Sequence, residues 1–231
     1  MKSLPIKSLC IALASFLAGP LHAALECKVR GVAVERGVPG NEVYAHMADG
    51  SGTAGKITLQ SFLNDESDTL SLSGPKVVFT LNADPKSAAD PDESLGSCEF
   101  SGKAKSVVLL FLPEEKGSSK CRVVLVPDDA KSFPGGAFKV LNLSSQSLKI
   151  TLDEDEHAFK PDEIRIIKPG AKGNQRSARM AAFTKKQDGE WTSIASSVWA
   201  NPGKKRVLQL FIEDPKTEKV VIRGFRDVTE P

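Results

Sequence analysis

Histidine is scarce in this chain: three occur in 231 residues, and only His46 and His157 lie beyond the first 23. A blue-copper centre needs two histidines and a cysteine with a weak axial ligand. No cysteine here is followed at short spacing by histidine and methionine, which excludes that class. The four cysteines include no CxxC pair, so the common zinc-site spacings are missing. GxSxG is missing as well, so no nucleophile elbow is indicated, and a Ser-His-acid set could be drawn only by arbitrary choice among many serines. Beyond the N-terminus no apolar run approaches the ~20 residues of a membrane-spanning helix. The sequence therefore predicts no cofactor, no metal and no transmembrane segment in the mature chain.

What is present at the N-terminus is the pattern of a signal peptide. Met1-Lys2 and Lys7 precede an apolar run over 9–17, and Leu21-His22-Ala23 places a small residue before a cleavage site. Residues 1–23 are expected to be removed and 24–231 exported, as a periplasmic or secreted protein. Cys10 lacks the small residues that precede a lipidated cysteine and reads as an ordinary apolar position of the signal. Cleavage takes Lys2 and Lys7 from 31 basic residues and nothing from the 29 acidic ones, so the mature chain is neutral. The isoelectric point of 8.3 thus describes the precursor and indicates no nucleic-acid partner.

Short apolar or alternating segments, punctuated by Gly and Pro, run the length of the mature chain with no helical period. Strands are predicted over 27–34, 57–63, 69–73, 77–81, 97–100, 107–112, 122–126, 138–143, 148–152, 163–167, 180–183, 206–212 and 220–225. The unbroken apolar run over 107–112 suits a strand buried on both faces. Phe133-Pro134-Gly135-Gly136 is a turn, and 144–147 is long enough to join 138–143 and 148–152 as an antiparallel hairpin. Residues 83–96, rich in Asp, Pro and Ser, read as an exposed, mobile loop. The pattern predicts an all-β, antiparallel β-sandwich of the immunoglobulin-like or cupredoxin-like Greek-key kind. One domain over 24–231 is favoured, with two small β domains meeting near residue 128 as the alternative.

Val126-Pro127-Asp128-Asp129, Phe133-Pro134-x-Gly136-x-Phe138 and Asn142-Leu143-Ser144 together resemble a family of exported, β-rich bacterial proteins of no assigned function. The resemblance covers 107–167 and, more loosely, Trp191, Trp199 and 206–212. It implies export and a β-rich fold, and no activity.

Cys27, Cys98 and Cys121 survive cleavage, in a compartment that permits disulfides. Cys98 and Cys121 flank the strand around 106–112, and strands on either side of a third lie ~10 Å apart, beyond disulfide reach. Cys27 is then expected to pair with one of them, the favoured bridge being Cys27 to Cys98 with Cys121 free, and three buried unpaired thiols are the alternative.

Six features are weighed as sites. Gly50-Ser51-Gly52-Thr53-Ala54-Gly55-Lys56-Ile57 matches GxGxxG, but Ile57 stands where a P-loop needs Ser or Thr, and a strand rather than a helix is predicted after it. Asp153-Glu154-Asp155-Glu156-His157, like Asp90-Pro91-Asp92-Glu93, lacks EF-hand spacing, and neighbours on a strand point to opposite faces. Trp191 and Trp199, with Phe183, could stack on sugars, although Ile194 and Val198 beside them suit packing. Asn142-Leu143-Ser144 is a glycosylation sequon inside a predicted strand. The remaining candidate is the basic run Lys168, Lys172, Arg176, Arg179, Lys185 and Lys186, which contains no acid and would attract anions. The expected function is that of an exported, non-catalytic sandwich binding a protein, a glycan or a cell-envelope component. A secreted or periplasmic hydrolase with a loop-assembled site is the alternative.

Overall fold

The computed structural model describes residues 24–35, 38, 40–101, 104–115, 118–168, 176–185, 189–214 and 217–228. The expected signal peptide, and Lys172 and Lys186 of the basic run, lie outside the described residues. Within them the fold is all-β, with sixteen strands and one short 3-10 helix at Pro85–Ala89.

The first eight strands are β1 (Leu25–Ala33), β2 (Glu42–Met47), β3 (Thr53–Gln60), β4 (Asp68–Leu72), β5 (Lys76–Thr80), β6 (Ser94–Glu99), β7 (Ser106–Pro113) and β8 (Cys121–Pro127). They form one sheet in the order β6-β5-β2-β3-β1-β7-β8, with β4 also paired to β1. The sheet curls until its ends meet: a Cβ at Gly96 on β6 would overlap the carbonyl oxygen of Cys121 on β8. Inside the curl Cys27, Val29, Ile57, Leu70, Phe79 and Phe111 are fully buried. Phe79 and Phe111 meet edge to face, with centroids 5.2 Å apart, the arrangement that ring quadrupoles favour.

The other eight are β9 (Phe138–Asn142), β10 (Leu148–Leu152), β11 (Asp155–Phe159), β12 (Ile164–Ile167), β13 (Ser177–Lys185), β14 (Trp191–Ala200), β15 (Val207–Glu213) and β16 (Val220–Arg226). They make two four-stranded sheets, β12-β9-β15-β16 and β11-β10-β13-β14. Strand periodicity of two explains how the layers stack. On β7, Val107, Leu109 and Phe111 enter the curled sheet, while Val108, Leu110 and Leu112 face Leu141, Leu208 and Leu210 of the middle sheet. On β9, Phe138 and Val140 turn the other way, toward Leu148, Ile150 and Trp199 of the outer sheet. Among the described residues the middle sheet is therefore covered on both faces, and the outer sheet on one only.

Two buried arginines join the curled sheet to the middle one. Arg30 on β1 donates to both carboxylate oxygens of Asp128 (2.9 and 2.7 Å) and of Asp227 (2.9 Å each). Arg206 donates to Asp227 at 2.6 Å and lies 3.3 Å from Asp128. Its guanidinium stacks 4.9 Å from the Phe133 ring centroid, which Lys139 Nζ also approaches, at 5.4 Å. Burial alone would lower the pKa of Arg30, but Asp227 and Asp128 outweigh it and raise it. Among the described residues Lys139 has no carboxylate in hydrogen-bond contact, and it donates to the Pro127 carbonyl at 2.8 Å. Burial pushes its ammonium down to about 8 despite the charges of Asp128 and Asp129.

Several expectations need correction. Pairing is mixed rather than purely antiparallel: β1 runs parallel to β3 and β7, and β9 parallel to β15. β9 and β10 do not form a hairpin; they lie in different sheets. The cause is Asn142, fully buried, whose amide donates to the Gln146 and Lys160 carbonyls and accepts from the Ser144 hydroxyl at 2.7 Å, turning the chain between layers. All of its amide is engaged inside the fold, which leaves the sequon nothing to present. The expected Cys27–Cys98 disulfide is not formed, and Cys27, Cys98 and Cys121 are free thiols. Its basis also fails, because β7 lies between β1 and β8, not between β6 and β8. Cys27 and Cys98 approach one core from different walls of the curl, and burial raises the three thiols to about 11, 12 and 11. The loop over 83–96 is built rather than loose: Asp84 caps the 3-10 helix, Ser87 is buried, and β6 starts at Ser94.

Candidate functional site

The outer face of the β11-β10-β13-β14 sheet is solvent-facing, and strand register fixes what it presents. Lys149 on β10 pairs with Ala158 on β11 and Phe183 on β13, and Phe183 pairs with Ser193 on β14. One step along, Thr151 pairs with Glu156 and Ala181, and Ala181 with Ser196. At the rims Lys185 pairs with Trp191, and Arg179 with Val198. Small side chains thus floor the face while two aromatic rings and three cations stand above it.

Lys149 holds these together. Its Nζ lies 5.1 Å from the Trp191 ring centroid and 5.4 Å from that of Phe183, within cation-π range. Glu156 is 3.4 Å away and more than half exposed, so it weakens the local positive potential without cancelling it. Trp191 is 39% exposed. Arg179 keeps 89% of its side chain in solvent, with Nε 3.8 Å from Asp153.

Of the expected anion-binding run, the structure brings Arg179 and Lys185 onto this face through β13. Arg176 lies just before that strand, and Lys168 follows β12 in the middle sheet. The run is therefore divided between layers, and the Asp153 tip meets it at Arg179. Lys149 was not singled out from sequence, and Glu156 was weighed only as part of the acidic stretch 153–157; only the sheet register places the two together. Trp199 separates from Trp191, turning inward to pack on Phe138 at 4.9 Å. Parity reverses between the two tryptophans because β14 carries a bulge, where the register with β13 shifts between Ala182 and Phe183.

The other candidates do not assemble sites. Asp153 and Glu154 form a tight turn, Asp153 with φ 53°, and β11 then sends successive side chains to opposite faces. Among the described residues no three His, Cys, Asp or Glu side chains converge as metal ligands. Thr53 of the glycine stretch begins β3, so the stretch leads into a strand and not into a helix.

His46, fully buried, sits 2.9 Å from Thr53 Oγ1, 3.1 Å from Thr80 Oγ1 and 2.8 Å from the Asn82 carbonyl. Thr80 in turn lies 3.0 Å from Ser87 Oγ. That carbonyl requires a proton on Nε2, and Nδ1 meets the Thr53 hydroxyl, which lies 3.4 Å from the Ala83 carbonyl. Nδ1 therefore faces a hydroxyl where a triad has a carboxylate, and Ser87 gives its proton to the Asp84 carbonyl at 2.6 Å. The assembly pins the 3-10 segment to the curled sheet. A cleft of about 460 Å³ nearby is lined by Tyr44, Leu81, Asn82, Asp92, Glu93 and Leu95. A second, of about 560 Å³, lies where β1 and β3 end, and its Glu35 is engaged by Arg223 at 3.2 Å. No helix among the described residues is long and apolar enough to cross a membrane.

No family model matches the chain, and comparison with curated proteins found no match.

Proposed function

We propose that this is an exported, non-catalytic binding protein whose outer sheet takes an anionic polysaccharide of the cell envelope. The observation that carries the reading is the Lys149 ammonium set between the Trp191 and Phe183 rings, with Lys185 and Arg179 flanking. An indole presents an apolar plane on which the C–H face of a sugar ring can lie. The ammonium beside it suits a carboxylate or sulfate on that ring, and the small residues between keep the face flat for an extended chain. The contacts are exposed, so binding is expected to be modest and screened by salt. Calorimetry with a uronic acid polymer, against a neutral glucan of similar length, tests this. Binding to the acidic polymer should weaken about tenfold in Trp191→Ala, the loss of one stacking contact, and weaken with added salt. Equal affinity of the variant and the wild type, or equal affinity for the neutral glucan, removes this face from the function.

A further inference from the structure

We infer that the free edge of β14 pairs with β14 of a second copy of this chain, in antiparallel register about Val198. A sheet edge is a row of unpaired amides and carbonyls, and native edges are blunted by charge, proline or brevity. The other edge strands of the two smaller sheets follow that rule: β11 carries Asp155 and Glu156, β12 is short and carries Arg165, and β16 carries Arg223 and Arg226. β14 is ten residues long, Trp191–Ala200, with no charge and no proline. Among the described residues it has a neighbouring strand on one side only.

The backbone shows which residues are available. Asn201 N–H donates to the Arg176 carbonyl at 2.8 Å, and the register runs unbroken from Ser177↔Ala200 to Ala182↔Ala195. Hydrogen-bonded pairs alternate in an antiparallel ladder, so 195, 197 and 199 bond to β13. Ser196, Val198 and Ala200 turn their N–H and C=O groups to the open side. Trp199, packed on Phe138, anchors the strand beneath them, and the bulge near Ile194 limits new pairing to 195–200.

The occupant follows from shape and charge. A two-fold axis through Val198 sets Val198 against its own copy and Ser196 against Ala200, so branched meets branched and small meets small, as an isologous interface requires. Val198 is 63% exposed, and this pairing covers it. An uncharged edge lets two copies meet without like-charge repulsion. Recognition of a foreign peptide by strand addition draws its specificity from pockets beside the edge, and the clefts described above lie on the curled sheet instead. The inference is independent of the polysaccharide reading, since it uses backbone groups and Val198, not the Trp191 platform.

Sedimentation equilibrium of the purified chain over a concentration series is the test, with circular dichroism to check that each variant is folded. The wild type should be a reversible dimer, and Val198→Lys should weaken association about tenfold or more by setting like charges opposite each other. Val198→Cys should give a disulfide-linked dimer under mild oxidation, while the wild type, whose Cys27, Cys98 and Cys121 thiols are held in or against the core of the curl, should not. A wild type that stays monomeric up to about 1 mM overturns the inference. So does a folded Val198→Lys chain that dimerises unchanged, or a dimer whose Val198→Cys form fails to cross-link.

Discussion

Arg30 and Arg206 between the curled and middle sheets, and Lys149 and Arg179 on the outer face, are similar cations put to opposite uses. The first pair is 7% and 5% exposed and shares two buried carboxylates. In the second, Arg179 stands in water and Lys149 keeps 22% of its side chain exposed, each beside an acid that is itself partly exposed. A buried pair cannot be broken without leaving a bare charge in low dielectric, whereas exposed partners exchange protein for water at little cost. The inner cluster therefore fixes how the layers seat, and the outer one contributes little to it.

The most severe way to break this contrast is Asp227→Ala, which leaves Arg30 and Arg206 with a single carboxylate between them. It should lower unfolding free energy by about 3–5 kcal/mol, read from urea denaturation. A loss below about 1 kcal/mol would mean that the inner cluster behaves like a surface pair.

Lys139 sharpens the comparison through pH. Its folded pKa, about 8, lies below the ordinary lysine value of 10.5, so between those values the unfolded chain binds more protons than the folded one. Stability should therefore rise as pH increases from about 8 to 10.5, because the cost of a buried ammonium is fully present below that window and relieved above it. Lys139→Met removes the group, and the difference in stability between wild type and variant should shrink across the same range. A difference that stays constant with pH would show that Lys139 titrates as an exposed lysine does. The smallest effect is expected from Arg179→Ser, within about 0.5 kcal/mol of wild type by urea denaturation. A larger loss would mean that its contact with Asp153 is structural.

Much of the sheet content was legible because burial on one face enforces period two and burial on both gives an unbroken apolar run. Residues 107–112 show the latter, and Leu148, Ile150 and Leu152 the former. Three strands were missed for physical reasons. β11 is an edge whose Asp155 and Glu156 face solvent, β14 has a bulge that breaks its alternation, and β2 buries His46, a residue that reads as polar. Strand partners were less legible still. The corner at Asn142 depends on an amide reaching Lys160, and the parallel pair β9–β15 joins residues about seventy apart. For the outer face, sequence supplied Trp191, Phe183, Arg179, Lys185 and, within the acidic stretch, Glu156, and only register could add Lys149 and bring Glu156 to it.

The Arg30–Asp227 contact spans 197 positions of the chain, and it has a consequence in time. Synthesis runs from the N-terminus, so the Arg30 guanidinium and the apolar outer side of β1 and β7 must wait for the middle sheet and then for Asp227. Until that residue arrives, the charge cluster is one carboxylate short and the curled sheet keeps an uncovered flank. Contacts this remote in sequence slow folding through the cost of closing the loop between them. The seating of the larger sheet on the middle one therefore depends on contacts that can form only once Asp227 has been made.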